Sequence, residues 1–500
     1  MMHFRDVKGL CALVRQTARD DLAQALQIIA DFVVQVISQE ASRGRIFSSI
    51  ELDRLCLELG RDVPASPTGS PDHDRVVFLV TAIANTGGHS RVLRDLAWAD
   101  GASKPVVLVT NTYQGGRQTP TGLFEEQIDV ESAPKGNLAQ TLHWVQTRLA
   151  FLRPIRTYIL QHHFDPVCVA AAQPDLTGRL FYYHNCDHNL ALGVHLEHAT
   201  HVDFNNKSFF HCRESCGVRD NVYWPLTADV STCRTGKPFL QRGHITTCTS
   251  GGYEKFDTSH LSTREAYLYE YQKLVPSVIN WGRGTHIHIG FLRDRMLEEI
   301  YSGLSGMGIE RSRFIYRERV PDLSAEFTKE KVDAYLGSFP LGGGRAMVEA
   351  MGSGLPLILH SNYRSVFLTD VAETYPTALV WRTPEELKAH IEGLTPDTLG
   401  THSQQAREHY IANHTSHHLK LAVEETIRGG RPQALHRPRH QPDALQSWLD
   451  SISAAAGSSA GASDGAFDMT SAFQHVRTKD LARVLVSRLG RRAKAALLRR

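Results

Sequence analysis

Val332-Asp-Ala-Tyr-Leu-Gly-Ser-Phe-Pro-Leu-Gly-Gly-Gly-Arg-Ala-Met-Val-Glu-Ala-Met-Gly-Ser-Gly-Leu-Pro-Leu-Ile-Leu-His360 reads as strand, glycine-rich turn, short helix, tight turn and strand. The pattern predicts strands over 332–336 and 355–360 flanking a helix over 345–352. Gly342, Gly343 and Gly344 remove side chains where the backbone must approach something closely. The helix after them aims unpaired N–H groups and the positive end of its dipole into that space, an anion site suited to a diphosphate. Arg345 adds a permanent charge of fork geometry. Glu349, one turn further on the same face, can accept hydrogen bonds from ribose hydroxyls.

Outward from this segment, short apolar runs alternate with helical stretches, the pattern of a mostly parallel sheet covered on both faces. Between 240 and 428 the strands fall at 244–248, 286–290, 314–316 and 378–381, with helices at 262–274, 293–303 and 403–428. The last helix is placed to pack back across a domain junction. A second unit, 75–235, has strands at 76–80, 106–110, 158–161, 180–183, 201–204 and 222–224, with helices at 90–99 and 137–152. Two doubly wound α/β units in tandem create a cleft between the carboxyl ends of their strands. Residues 1–70 form a helical extension, whose Leu22, Leu26, Ile29, Val33 and Val36 predict one long amphipathic helix over 10–40. Residues 61–74 and 431–470 read as linkers. The tail 471–500 reads as a basic amphipathic helix.

Further polar groups stand at predicted strand ends. Gly87 and Gly88, directly after the 76–80 strand, let a substrate approach the backbone. His184, Asp187 and His188, after the 180–183 strand, form the densest titratable group in the chain. Imidazoles near their operating pH can take a proton from an acceptor hydroxyl, which makes these three the candidate catalytic residues. Lys255, in a Gly-rich loop after the 244–248 strand, is a compact cation suited to a leaving diphosphate.

The 332–360 segment resembles the donor site of GT-B glycosyltransferases, whose pattern ends in Glu-Ala-Met/Leu-x-x-Gly-x-Pro. Phe339-Pro340-x-Gly-Gly is most similar to the O-GlcNAc transferase-like group. Thr247–Asp257 resembles the lysine-containing loop of the same group. The resemblance implies two Rossmann-like domains facing a cleft, with the nucleotide sugar on the C-terminal one. It implies that Glu349 holds the ribose, that Gly343, Gly344, Arg345 and Ala346 surround the diphosphate, and that Lys255 neutralises it. Arg319 and Val320 are implied base contacts. Leu341, where many retaining relatives carry an acid, favours inversion. UDP is the nucleotide implied; the sugar nucleotide is a co-substrate, and neither metal nor cofactor is expected. The acceptor expected is a surface glycan or lipid-linked saccharide. The alternatives are a protein O-glycosyltransferase, a nucleotide-sugar epimerase, and an inactive GT-B scaffold that binds partners.

Composition limits the remaining classes. The formal charge of +2 conceals a basic tail: residues 471–500 hold nine Lys or Arg and one acid, Asp480. A basic tail on a mildly acidic body argues against nucleic acid and for an anionic membrane surface met by the tail. No apolar run is long enough to span a bilayer, and the N-terminus lacks a secretory pattern, so the expectation is a cytoplasmic protein, peripheral at the inner membrane face. The eight cysteines form no C-x-x-C pair and read as reduced thiols. His211, Cys212 and Cys216, and His184, Cys186 and His188, are sequence clusters with metal-ligating types, but neither has a matched second pair.

Overall fold

The computed structural model describes residues 7–38, 42, 44, 46–61, 72–83, 88–102, 104–112, 128–257, 269–361, 365–434 and 436–437. Gly87, most of the 431–470 linker and the 471–500 helix lie outside the described residues.

The N-terminal periodicity is broken into two helices, α1 (Val7–Ala18) and α2 (Leu22–Ile37), instead of one. Asp21 is the reason: it is extended, and its carboxylate accepts the Gln24 N–H at 2.9 Å, capping a new helix. After α3 (Ile50–Arg61) the chain runs β1 (Asp72–Val80), α4 (Gly88–Asp100), β2 (Lys104–Val109), β3 (Asp129–Ser132), α5 (Leu138–Leu152), β4 (Pro154–Leu160), α6 (Pro166–Ala171), β5 (Arg179–Tyr183), β6 (Ala199–Asp203), α7 (Asn206–Glu214) and β7 (Val222–Tyr223). These strands form one parallel sheet in the order β3-β2-β1-β4-β5-β6-β7. The period-two alternation of β1 divides its side chains between two cores. Val77 and Leu79 pack with α1, α2 and α3, so the N-terminal helices cover a sheet face; Val76, Phe78 and Val80 face the other way, into an apolar cluster that continues to the second sheet.

The second half runs β8 (Thr246–Ser250), α8 (Tyr271–Gly282), β9 (Thr285–Ile289), α9 (Asp294–Gly306), β10 (Phe314–Arg317), α10 (Leu323–Lys329), β11 (Ala334–Leu336), α11 (Gly344–Gly352), β12 (Leu357–His360), β13 (Leu379–Trp381), α12 (Pro384–Glu392), α13 (Pro396–Asn413) and α14 (Ser416–Ile427). Its parallel sheet has the order β10-β9-β8-β11-β12-β13. Two sequence expectations shift here. Of the helix placed at 262–274, residues 262–268 lie outside the described residues; residues 271–274 belong to α8, which runs on to Gly282 with Leu274, Val275, Val278 and Ile279 buried. The helix placed at 403–428 is α13 and α14, separated near His414, whose ring bonds the Leu226 carbonyl at 2.9 Å.

α14 does cross the junction. Arg179 on β5 donates to the carbonyls of Thr426 and Ile427, at 2.8 and 2.7 Å, and the Trp224 indole N–H reaches Thr426 Oγ1 at 2.9 Å. A second dock lies at the start of α7, where the Asn206 backbone N–H and side-chain amide bond Glu373 at 2.8 and 3.0 Å. Burial raises the Glu373 carboxyl to about 8, only partly opposed by Lys207. A carboxyl raised in the folded state holds its proton there while the unfolded chain has already lost it. Its contribution to stability therefore falls as pH rises between the ordinary value of 4.5 and about 8. Glu373→Gln should flatten that decline: relative to wild type, the variant gains on the order of 2 kcal/mol between pH 5 and 8.5 in thermal melts. Parallel pH profiles for the two proteins would contradict the assignment.

Candidate active site

In an open parallel sheet, ligands bind beyond the carboxyl ends of the strands where the winding direction reverses. The C-terminal sheet reverses between β8 and β11, and the N-terminal one between β1 and β4. The loops that follow β8 and β11 are the Lys255 loop and the triple-glycine turn. The topology therefore brings together two motifs about ninety residues apart in the sequence.

Their contact is direct. The Lys255 ammonium donates to the Gly342 carbonyl, and the Leu341 N–H reaches the Lys255 carbonyl at 3.3 Å. Close approach explains the glycines on both sides. A Cβ at Gly342 would lie 2.4 Å from Asp370 Oδ2, and one at Gly344 would lie 3.1 Å from Leu226. Gly290, which ends β9 at φ +136°, would place a Cβ 2.0 Å from the Gly251 carbonyl and push away the loop that carries Lys255. Gly343 caps α11 without a side-chain hydrogen bond, so the first-turn N–H groups keep their capacity for an anion. Ala346, half-buried, lies in that turn. Enclosure lowers the Lys255 ammonium, with the charge of Asp370 opposing the shift. Asp370 itself lies 3.6 Å from the Lys207 ammonium of the N-terminal domain.

Arg345 is placed differently from the sequence expectation. Its Nη1 donates to Asp95 on α4 and to the Thr227 carbonyl, and its side chain is buried. Glu349 meets Arg91 of the same helix, Oε2 to Nη1 at 3.8 Å. Arg91 and Asp95 are four apart on α4, as Arg345 and Glu349 are on α11, so one charged face of each helix matches the other across the junction. The sequence showed the shared face of Arg345 and Glu349, but not that a helix with the same Arg-then-acid order would lie head to tail against it. Arg345 thus joins α11 to α4 across the two domains. Burial raises the Glu349 carboxyl, with Arg91 opposing.

On the N-terminal side, Gly88 opens α4, and a Cβ there would meet nothing within 4 Å. The next residue, His89, is the one that sequence reasoning passed over. It is exposed, accepts at Nδ1 from the Asn185 side-chain amide at 3.0 Å, and lies 5.1 Å ring to ring from His162. Its imidazole is lowered, by desolvation first and then by the charges of His162, Lys255 and His188. The signal available was its position directly after a glycine pair at a helix start.

His188 is 42% exposed, with Nδ1 3.7 Å from Asp187 Oδ1. Asp187 is buried, and its other oxygen accepts from the Asn205 amide and, at 2.8 Å, from Ser208 Oγ. Burial opposes its charge, yet His188 and Lys207 hold this carboxyl below the ordinary range. An exposed imidazole oriented by a fixed carboxylate is the arrangement a general base requires. His184 lies deeper: it is 1% exposed, with Nδ1 3.3 Å from Asp203 Oδ1 on β6. Arg319 is exposed and 3.9 Å from Glu318.

Two parallel α/β sheets, facing each other across such a cleft and linked by a C-terminal helix that crosses back, define the GT-B fold. The O-GlcNAc transferase of Thermobaculum terrenum is similar at 13% identity and TM-score 0.51, over 88% of this chain and 83% of that one. HepE of Anabaena, solved in complex with UDP-glucose, is similar at 15% identity and TM-score 0.51, over 71% of this chain and 99% of that one. A glycosyltransferase from Rickettsia africae is similar at 10% identity and TM-score 0.54, over 71% and 98% of the two chains. At such identities the likeness is one of fold. No protein-family model and no curated protein matches the sequence. Among the described residues, no helix is long and apolar enough to cross a membrane.

Proposed function

We propose that the protein is a glycosyltransferase that moves a sugar from a nucleotide sugar, UDP-linked, to a hydroxyl acceptor. The observation that carries this reading is the union of the Lys255 loop with the triple-glycine turn at the switch point of the C-terminal sheet. Lys255 and the α11 amides would meet the diphosphate and the charge that develops on it as the glycosidic bond breaks. Glu349 would take the ribose hydroxyls, exchanging its 3.8 Å contact with Arg91 for shorter bonds. His188, oriented by Asp187, would remove the acceptor proton. These groups supply leaving-group charge and base without a divalent cation.

HepE binds UDP-glucose in its solved complex, and this supports UDP as the nucleotide. A glycan or lipid-linked acceptor at an anionic membrane is supported by the basic charge of residues 471–500.

The test is thermal denaturation with UDP, GDP, ADP and the corresponding sugar nucleotides. UDP at one hundred times its Kd should add about 2.7 kcal/mol to stability and raise the melting temperature by several degrees. Glu349→Ala should reduce that shift for UDP while leaving inorganic pyrophosphate unaffected. A melting temperature that no nucleotide moves would end the proposal.

A further inference from the structure

His184, His201, Asp203 and Cys212 converge inside the N-terminal domain, away from the cleft-facing His188. Each is 5% exposed or less, and their ligating atoms all lie within 4.8 Å of one another. We propose that these four side chains form a structural zinc site.

The first argument is distance. Asp203 Oδ1 has His184 Nδ1, His201 Nε2 and Cys212 Sγ around it, each at 3.3 Å, and Cys212 Sγ lies 3.4 Å from His184 Nδ1. Hydrogen bonds from imidazole to a buried carboxylate are shorter, about 2.7–2.9 Å. Ligands held tetrahedrally at about 2.0–2.3 Å from a zinc ion stand about 3.3–3.7 Å apart. Four edges of this group have that length or nearly so. The spacing is that of a coordination shell more than of a hydrogen-bonded cluster.

The second argument is proton placement. His201 Nδ1 lies 3.2 Å from the Val194 carbonyl, an acceptor only, so the ring proton belongs on Nδ1. A neutral ring then points its Nε2 lone pair at the Asp203 oxygen, a pairing that only a second ring proton or a cation between the two atoms relieves. The second Asp203 oxygen is taken by the Asn221 amide at 2.6 Å, which turns Oδ1 into the cluster. Outer partners of this kind commonly orient metal ligands.

The third argument is charge. Zinc with one carboxylate, one thiolate and two neutral imidazoles is a neutral assembly, which suits a dry interior. All four positions are protein side chains, so the site is closed and structural, not catalytic. Its ligands come from the end of β5, from alternate residues on one face of β6, and from α7. The ion would pin α7, whose first residues Asn206 and Lys207 dock on Glu373 and Asp370 of the other domain. It would also fix the loop that leads from His184 to His188. Sequence clustering could not reveal this set: it takes one member from each of the two clusters noted in the sequence and adds two residues from β6.

The test uses the full chain, purified without added chelator or metal. Metal analysis should find zinc in near-stoichiometric amount. After removal of zinc, titration with cobalt(II) should give the intense visible bands of a tetrahedral ion together with thiolate-to-cobalt charge transfer. Cys212→Ser should lose the charge-transfer band, whereas Cys248→Ser, a buried cysteine of the other domain, should retain it. Absence of zinc from the native chain, combined with no tetrahedral cobalt spectrum, would overturn the site. So would a cobalt spectrum without thiolate charge transfer in the wild-type chain, a readout that needs no variant to fold.

Discussion

Lys255→Ala should remove nucleoside diphosphate binding from an otherwise folded protein and lower sugar transfer by about 10²–10³-fold. The magnitude follows from what the ammonium does at this position. It is enclosed, fixed on the Gly342 carbonyl, and placed at the edge of the turn that opens α11. A cation already held in a desolvated setting needs little reorganisation when charge develops on the leaving diphosphate, so its removal is felt mainly in the transition state. The variant also loses one contact to the turn, which should cost about 1 kcal/mol of stability and no more. Calorimetry with UDP and a donor-hydrolysis assay check both parts. UDP binding to Lys255→Ala at wild-type affinity would remove Lys255 from the site.

His188→Ala should lower turnover by about 10²–10⁴-fold while leaving nucleotide affinity within a few-fold of wild type. The separation of the two effects is the informative part. His188 belongs to the N-terminal domain, and the diphosphate is expected on the C-terminal one, so a base and a phosphate ligand act on opposite ends of the reacting bond. Asp187→Asn should give a smaller loss, because the amide cannot stabilise the imidazolium that forms. His184→Gln, by contrast, should act through stability, since that ring is buried against Asp203. The measurement is steady-state kinetics beside nucleotide titration. Transfer by His188→Ala at more than one-tenth of the wild-type rate would assign the base elsewhere.

The backbone frame of the candidate donor half was legible in sequence because it is local. Strand, triple glycine, helix start and Glu349 are fixed by consecutive residues, and a helix N-terminus offers its amides wherever it occurs. The acceptor half was legible only as a dense group of His and Asp after a strand. Which member faces the cleft depends on the neighbours: Asp203 and Cys212 draw His184 inward, and Asp187 holds His188 at the surface. His89 carried no periodicity or spacing that distinguished it from a helix-start polar residue.

Period-two and 3.6-residue patterns determined two parallel α/β units, because burial on both faces of a sheet imposes them on short segments. Helix ends followed less faithfully: the Asp21 cap divided the first helix, and the His414 contact with Leu226 accompanies the break in the last. Only the tertiary structure decided which carboxylate stands beside Arg345. A guanidinium at a glycine turn is chemically suited to a diphosphate, but Asp95 lies within bonding distance once α4 packs on α11. A buried cation is held by the nearest carboxylate, and nearness across 250 residues of chain is a property of packing that no local pattern records.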